Sequence, residues 1–259
     1  MALTYPSMFS LENRVAVVTG GTRGIGAAMA MALAEAGADI ILVQRETVNT
    51  TTKRAIESLG RKASIYAADL CSQDDVLSLT PRILADGHDP SILVTCAGIQ
   101  RRHASHEFPL SDWNEVLQVN LTSVFTLCRD LGAYMLTREG PQRGSIINVA
   151  SLVSFQGGLT VPAYASAKGG IAQLTKALSN EWASKGVNVN AIAPGYVRTD
   201  MNEALLKNET RSRQILERIP MGRWGEAEDF KGTVIYLASR ASSYVSGEVV
   251  VVDGGWMGR

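Results

Sequence analysis

The chain has 259 residues, 46% of them hydrophobic, and 25 basic side chains balance 25 acidic ones. That is enough apolar material for one large core, and an α/β sheet of this length is routinely one domain, expected here over 1–259. A net charge of zero offers no basic field for nucleic acid, and no apolar run nears the roughly 20 residues that cross a bilayer.

Residues 1–6 lack the basic and apolar regions of a secretory leader, so the expected location is the cytoplasm. Residues 14–19 are an apolar run typical of a buried parallel strand. It leads directly into Gly20-Gly21-Thr22-Arg23-Gly24-Ile25-Gly26, then into an alanine-rich segment that ends at Gly37. Strand, glycine turn and helix in succession are the context of a dinucleotide-phosphate loop. Gly20 permits the tight turn, Gly24 lets the backbone approach a pyrophosphate, and Gly26 lets helix pack on strand. The phosphates would lie over the helix N-terminus, whose free N–H groups attract anions.

Further apolar runs at 40–43, 64–67, 92–95, 145–149, 187–193 and 249–252 bring the expected strands to seven. The segments between them are long enough for crossover helices, which predicts a doubly wound, parallel, Rossmann-type sheet. The second strand ends Gln44-Arg45, with no carboxylate before Glu46. An acidic side chain there would bind a ribose 2′-hydroxyl and repel a 2′-phosphate. Arg45 and Arg23 offer a cationic clamp on that phosphate instead, which favours NADP(H) over NAD(H). Cys71, Cys96 and Cys128 have no metal-ligand spacing, so reduced thiols and no metal are expected.

Thirteen residues after Ser151 comes Tyr164, and Lys168 follows one helical turn later. Pro162 suits the first turn of a helix, and positions i and i+4 share a face. A nearby ammonium favours phenolate, so Lys168 is expected to pull the Tyr164 pKa below its usual value of about 10. That is what a general acid needs near neutral pH. Residues 196–220 are polar, with helical stretches at 203–207 and 211–218, and follow a strand whose end should face a ligand. A mobile substrate lid is expected there.

In this order and separation, these motifs resemble the classical short-chain dehydrogenase/reductases over nearly the whole chain. Further matches are Asp69-Leu70, Ala97-Gly98, Asn120 and Pro194-Gly195-Tyr196-Val197-Arg198-Thr199. The resemblance implies reversible hydride transfer between a nicotinamide and a secondary alcohol or ketone. It assigns the proton to Tyr164, the nicotinamide ribose to Lys168 and the substrate oxygen to Ser151. It gives Asn120 a water connecting Lys168 to solvent. Val197 would meet the carboxamide through its backbone, and Thr199 would lie near the pyrophosphate. Cys96 stands where the family usually has an asparagine that braces the sheet, which puts that hydrogen bond in doubt.

Within the family the resemblance is closest to the branch acting on 2-deoxy-D-gluconate and 2-keto-3-deoxygluconate. Arg101 and Arg102 would then serve a carboxylate, and Gln156 would serve hydroxyls. Both arginines facing solvent or pairing with Glu107 is the plainer alternative. An NADPH-dependent carbonyl reductase of secondary metabolism is a second reading, and a catalytically silent dinucleotide sensor or scaffold a third. The family also implies a homotetramer, built on helices around 113–138 and 163–184.

Overall fold

Strand β1 (Val15–Thr19) alternates its side chains between two buried layers: Ala16 and Val18 face one, Val17 the other. Because both faces are covered, the strand is apolar throughout and does not alternate with polar residues. Both faces are likewise covered along β2 (Asp39–Gln44), β4 (Pro90–Thr95), β5 (Gly144–Val149) and β6 (Val187–Pro194), where the buried Asn188 and Asn190 interrupt the apolar run and are hydrogen-bonded. The edge strands β3 (Ala63–Ala67) and β7 (Val249–Val252) are only partly buried. These elements come from a computed structural model that describes residues 4, 5 and 7–259. Met1–Leu3 and Pro6, part of the segment weighed as a leader, lie outside the described residues.

All seven strands are parallel, in the order β3-β2-β1-β4-β5-β6-β7. Helices α1 (Gly24–Glu35) and α2 (Thr51–Ser58) follow β1 and β2, and α3 (Gln73–Ala85) follows β3. After β4 come α4 (Leu110–Leu117) and α5 (Ser123–Thr137), and α6 (Pro162–Trp182) links β5 to β6. Helices α7 (Glu203–Lys207), α8 (Glu209–Leu216) and α9 (Lys231–Ala238) precede β7. One apolar layer packs α1, α2 and α9 on the sheet through Met29, Leu33, Ile56 and Leu237. The opposite layer packs α3, α5 and α6 through Leu79, Ile83, Leu131 and Ile171. This is the doubly wound architecture read from the sequence.

Chain order reverses between β1 and β4. At such a switch point the loops leaving adjacent strands diverge and open a crevice at the carboxyl ends. The helix expected around 113–138 is not uniform: α4 and α5 are joined by a π-helical turn at Gln118–Thr122. A third, smaller apolar cluster joins Leu152, Ile215, Ile219, Trp224 and Trp256 and seats α7 and α8 over the end of β5. Among the described residues, no helix is long and apolar enough to cross a membrane.

Candidate active site

A continuous cleft of about 1010 Å³ runs along the carboxyl ends of the strands, from the glycine turn to Tyr164. Its first wall is the turn itself. Gly20 has a φ of +71°, and a Cβ there would lie 2.9 Å from the Ala97 backbone. A Cβ on Gly26 would lie 2.2 Å from the Gly20 carbonyl oxygen, so only glycine brings α1 this close to β1. Thr22, Arg23, Gly24 and Ile25 line the same wall. Thr199 stands opposite, its methyl 3.6 Å from where a Gly24 Cβ would be. This bare backbone beside the start of α1 suits a pyrophosphate.

At the far end of β2, Gln44 behaves differently from the expectation. Its amide nitrogen donates to the carbonyls of Glu46 and Asn49, at 2.6 and 2.9 Å. Gln44 therefore shapes its own loop, and its buried Oε1 has no partner among the described residues. Arg45 is exposed on the cleft wall, without an ion pair among the described residues. Arg23 pairs instead with Asp200 across the cleft, at 3.0 Å, with both side chains largely in solvent. The two-arginine clamp is therefore not preassembled: Arg45 has no ion pair among the described residues, and Arg23 is paired with Asp200 in the segment that follows β6.

Asp69, Leu70, Ala97, Gly98, Pro194, Gly195 and Val197 all line the cleft, as expected. The Val197 carbonyl accepts from Asn202, while its N–H makes no hydrogen bond among the described residues. A free backbone donor at this point suits a carboxamide oxygen. The cleft's shape, its bare glycine wall and this donor all accommodate a nicotinamide dinucleotide.

The segment from Ser151 to Lys168 is assembled by local hydrogen bonds. Ser151 caps a short turn at Leu152–Ser154, accepting from the Val153 N–H, while its own N–H donates to Ser154. Ser154 Oγ then donates to the Lys168 carbonyl at 2.6 Å, tying the end of β5 to α6. Sequence reasoning missed Ser154, although the Ser-x-x-Ser spacing of a capping box was visible. Lys168 is buried, its Nζ donating to the Val149 carbonyl at 2.6 Å and lying 5.7 Å from the Tyr164 ring centre.

One expectation about this pair is reversed. Burial pushes the Tyr164 phenol up to about 12, the neighbouring Ser151 hydroxyl pulling the other way. Burial likewise pushes Lys168 down to about 8. Removal from water opposes charge on both groups, and on the phenol it outweighs the lowering by Ser151 and Arg102. Desolvation thus drives the two values apart, leaving the phenol protonated at neutral pH.

Asn120 lies in the π-helical turn, fully buried. Its carboxamide accepts from the Ile99 N–H at 2.9 Å and donates to the Ile99 carbonyl at 2.7 Å. The side chain braces the loop after β4 and does not itself reach Lys168. The role left open at Cys96 is filled next door. Asn148 on β5 accepts from Thr95 on β4 at 2.9 Å and donates to Thr175 on α6 at 3.0 Å. Cys96 sits under the glycine turn, its thiol pushed up to about 11 by burial. It is a small apolar filler.

The substrate end also corrects the sequence reading. Arg101 is held by Glu115 at 2.9 Å, not by Glu107, which faces His106. Arg102 contacts only the neutral Gln100 side chain, and its charge is close enough to Tyr164 to favour phenolate. Gln156 Oε1 accepts a long 3.4 Å bond from the Trp256 indole, leaving its amide N–H groups for the cleft. Arg211 on α8 lines the cleft too, which sequence reasoning did not single out. Among the described residues no cluster of His, Cys, Asp and Glu has the makings of a metal site.

A family model described as enoyl-(acyl carrier protein) reductase matches residues 20–257. The chain is a short-chain dehydrogenase/reductase. It is 50% identical to the 2-dehydro-3-deoxy-D-gluconate 5-dehydrogenase of Pseudoalteromonas atlantica, over 97% of this chain and 98% of the relative. The Escherichia coli enzyme of that name is 43% identical, over 98% and 99%. Among solved structures, a protein of Agrobacterium tumefaciens described as a 2-deoxy-D-gluconate 3-dehydrogenase with bound NADP superposes with a TM-score of 0.90. It shares 45% identity, over 97% of this chain and 99% of that one. A gluconate 5-dehydrogenase of Burkholderia cenocepacia, in complex with NADP and tartrate, gives 0.92 at 36% identity, over 97% and 98%. Membership makes this chain an NAD(P)-dependent oxidoreductase acting on CH–OH groups.

Proposed function

We propose that this dehydrogenase interconverts the secondary alcohol and ketone of a keto-deoxy sugar acid, with 2-keto-3-deoxygluconate and its C5 hydroxyl as the leading substrate. The names carried by relatives at 43% to 50% identity support the substrate class. The observation that carries it for this chain is Arg102, a guanidinium that lines the same cleft as Tyr164 and that no carboxylate engages among the described residues. NADP(H) is the preferred cofactor: two solved relatives hold NADP, and Arg45 faces the adenosine end of the cleft with its charge free.

When bound, the cofactor supplies or accepts the hydride. Gly20, Thr22, Gly24, Ile25 and Gly26 would hold its pyrophosphate with Thr199, and Asp69, Leu70, Ala97 and Gly98 would frame the adenosine and ribose. Pro194 and Gly195 would turn the chain so that Val197 N–H meets the carboxamide. The Ser151 hydroxyl holds the substrate's reacting oxygen against Tyr164. In reduction Tyr164 donates its proton to that oxygen, and burial ensures that the proton is present at neutral pH. In oxidation the phenolate must form first, and Lys168, Ser151 and Arg102 are the groups that favour it. Asn120 acts as a positioning residue for the loop that carries Arg101 and Arg102. The working location is the cytoplasm and the assembly a homotetramer, with residues 196–220 as the substrate lid.

The test is a panel of keto sugar acids and neutral ketones, with each reduced cofactor, on four proteins. Wild type should prefer the acids, and Tyr164→Phe should lose about 10²- to 10⁴-fold in turnover while still binding cofactor. Arg102→Ala should lower the acid-to-neutral ratio of kcat/KM roughly ten- to 150-fold, the equivalent of one charge-assisted hydrogen bond. Arg101→Ala, which frees Glu115, should leave that ratio within about threefold. A wild type that reduces only neutral ketones is a carbonyl reductase, and one that binds NADPH without turnover is a sensor.

A further inference from the structure

Seven cations line the cleft, and their partners sort them. Arg23 is paired with Asp200, Arg101 with Glu115 and Arg198 with Glu226. Lys168 is buried beside Tyr164, its Nζ donating to the Val149 carbonyl, and belongs to the proposed catalytic pair. Three arginines then have no carboxylate partner among the described residues. Arg45 lies at the adenosine end, following β2, so only Arg102 and Arg211 remain for a substrate.

Their positions are complementary. Arg102 belongs to the loop leaving β4, whereas Arg211 belongs to the first turn of α8, on the lid. The start of α8 is fixed, because Asn208 caps it by accepting from the Arg211 N–H at 2.9 Å. One turn further, Ile215 is fully buried and packs in the cluster that includes Leu152, the neighbour of Ser151. Residues i and i+4 share a helix face, so the face that carries Arg211 is the one turned toward the catalytic loop. Ile215 also lines the cleft, which agrees. The Arg211 guanidinium touches only the neutral Gln214 side chain, at 3.3 Å. An exposed arginine on a polar helix ordinarily pairs i to i+4 with an acid, as Arg213 does with Glu217. At that spacing Arg211 has the apolar Ile215.

We propose that Arg211 is the lid's own contact for the substrate: it grips the carboxylate of the sugar acid from above, and Arg102 grips it from below. A carboxylate has about four acceptor sites, enough for two guanidinium donors. The anion then acts as the pin that closes the lid, and a neutral ketone, lacking it, leaves α7 and α8 open. Acid specificity is thereby coupled to exclusion of water from the cleft. This inference rests on the sugar-acid reading above.

The experiment compares wild type, Arg211→Ala and Arg211→Lys, and uses two readouts. In steady state, Arg211→Ala should lower the acid-to-neutral ratio of kcat/KM about ten- to 100-fold, mostly through KM, with Arg211→Lys recovering part of it. In the second readout, each protein is loaded with NADP⁺ and 5-keto-D-gluconate, a pair that cannot react. A Glu-specific protease then probes Glu203, Glu209 and Glu217 on the lid. Wild type should be protected at least tenfold relative to cofactor alone, and Arg211→Ala should not be. A wild type active on sugar acids, with Arg211→Ala unchanged in ratio and in protection, overturns the inference and leaves the substrate reading intact. A wild type inactive on every sugar acid overturns both.

Discussion

At the scale of single residues, the site is governed by desolvation more than by pairing. The sequence made Tyr164 and Lys168 neighbours on a helix, and that reading holds. It carries no information on how dry their surroundings are, which is why the direction of the tyrosine shift was missed. The buried lysine makes a prediction of its own. Its folded pKa, about 8, is below the ordinary 10.5, so between these values the unfolded chain binds more protons than the folded one. Stability then rises with pH across that window. Cys96 and Cys128, pushed up from 9 by burial, act in the opposite direction above pH 9, and Tyr164 does so above pH 10. The lysine's contribution is therefore isolated at pH 8–9. Denaturant unfolding of cofactor-free wild type and Lys168→Met at pH 8 and 9 should show wild type gaining about 1 kcal/mol relative to the variant. Parallel curves would mean that Lys168 is not desolvated in the folded protein.

At the scale of elements, the strands were legible to within two residues at either end. A parallel strand buried on both faces has to be apolar along its length, so its limits coincide with the limits of the apolar run. Helices α7 and α8 were legible for a different reason, since they are short polar runs rich in helix formers after a strand that ends at Pro194. What the sequence hid were contacts between distant positions, such as Arg23 with Asp200, Arg101 with Glu115, and Asn148 with Thr95 and Thr175. The π-helical turn around Asn120 was equally hidden, because no local propensity marks it. That turn is held by what Asn120 does for Ile99. Replacing Asn120 by alanine leaves the Ile99 N–H and carbonyl without partners, at about 1–3 kcal/mol for each unsatisfied group. A loss of about 2–4 kcal/mol in urea unfolding is expected, with turnover falling more than cofactor affinity because the loop carrying Arg102 loosens. A loss under about 0.5 kcal/mol would show that the loop after β4 is held by other contacts.

At the scale of the whole molecule, two surfaces carry exposed apolar side chains. The first is the face of α5 and α6. Phe125 is 43% exposed there, with Arg129 beside its ring, and a Cβ on Gly169 would meet nothing within 4 Å. Small residues such as Ala165 and Gly169 let a second helix approach closely, and an exposed phenylalanine rewards that approach. The second surface is the edge of the sheet at β7, where Val251 and Met257 are more than one-third exposed and Tyr244 is wholly so. An unpaired edge strand with apolar neighbours is a liability unless it is covered. The proposed tetramer would use these two surfaces, each about its own twofold axis, and so have D2 symmetry rather than form an open chain. Sedimentation at micromolar concentration should therefore give four times the 27.8 kDa chain mass. Phe125→Glu places a charge in the first interface only, so it should halve the assembly to a dimer through β7 and leave the monomer fold intact. A wild-type monomer would remove the assembly altogether, and a tetramer indifferent to Phe125→Glu would place the helical interface elsewhere.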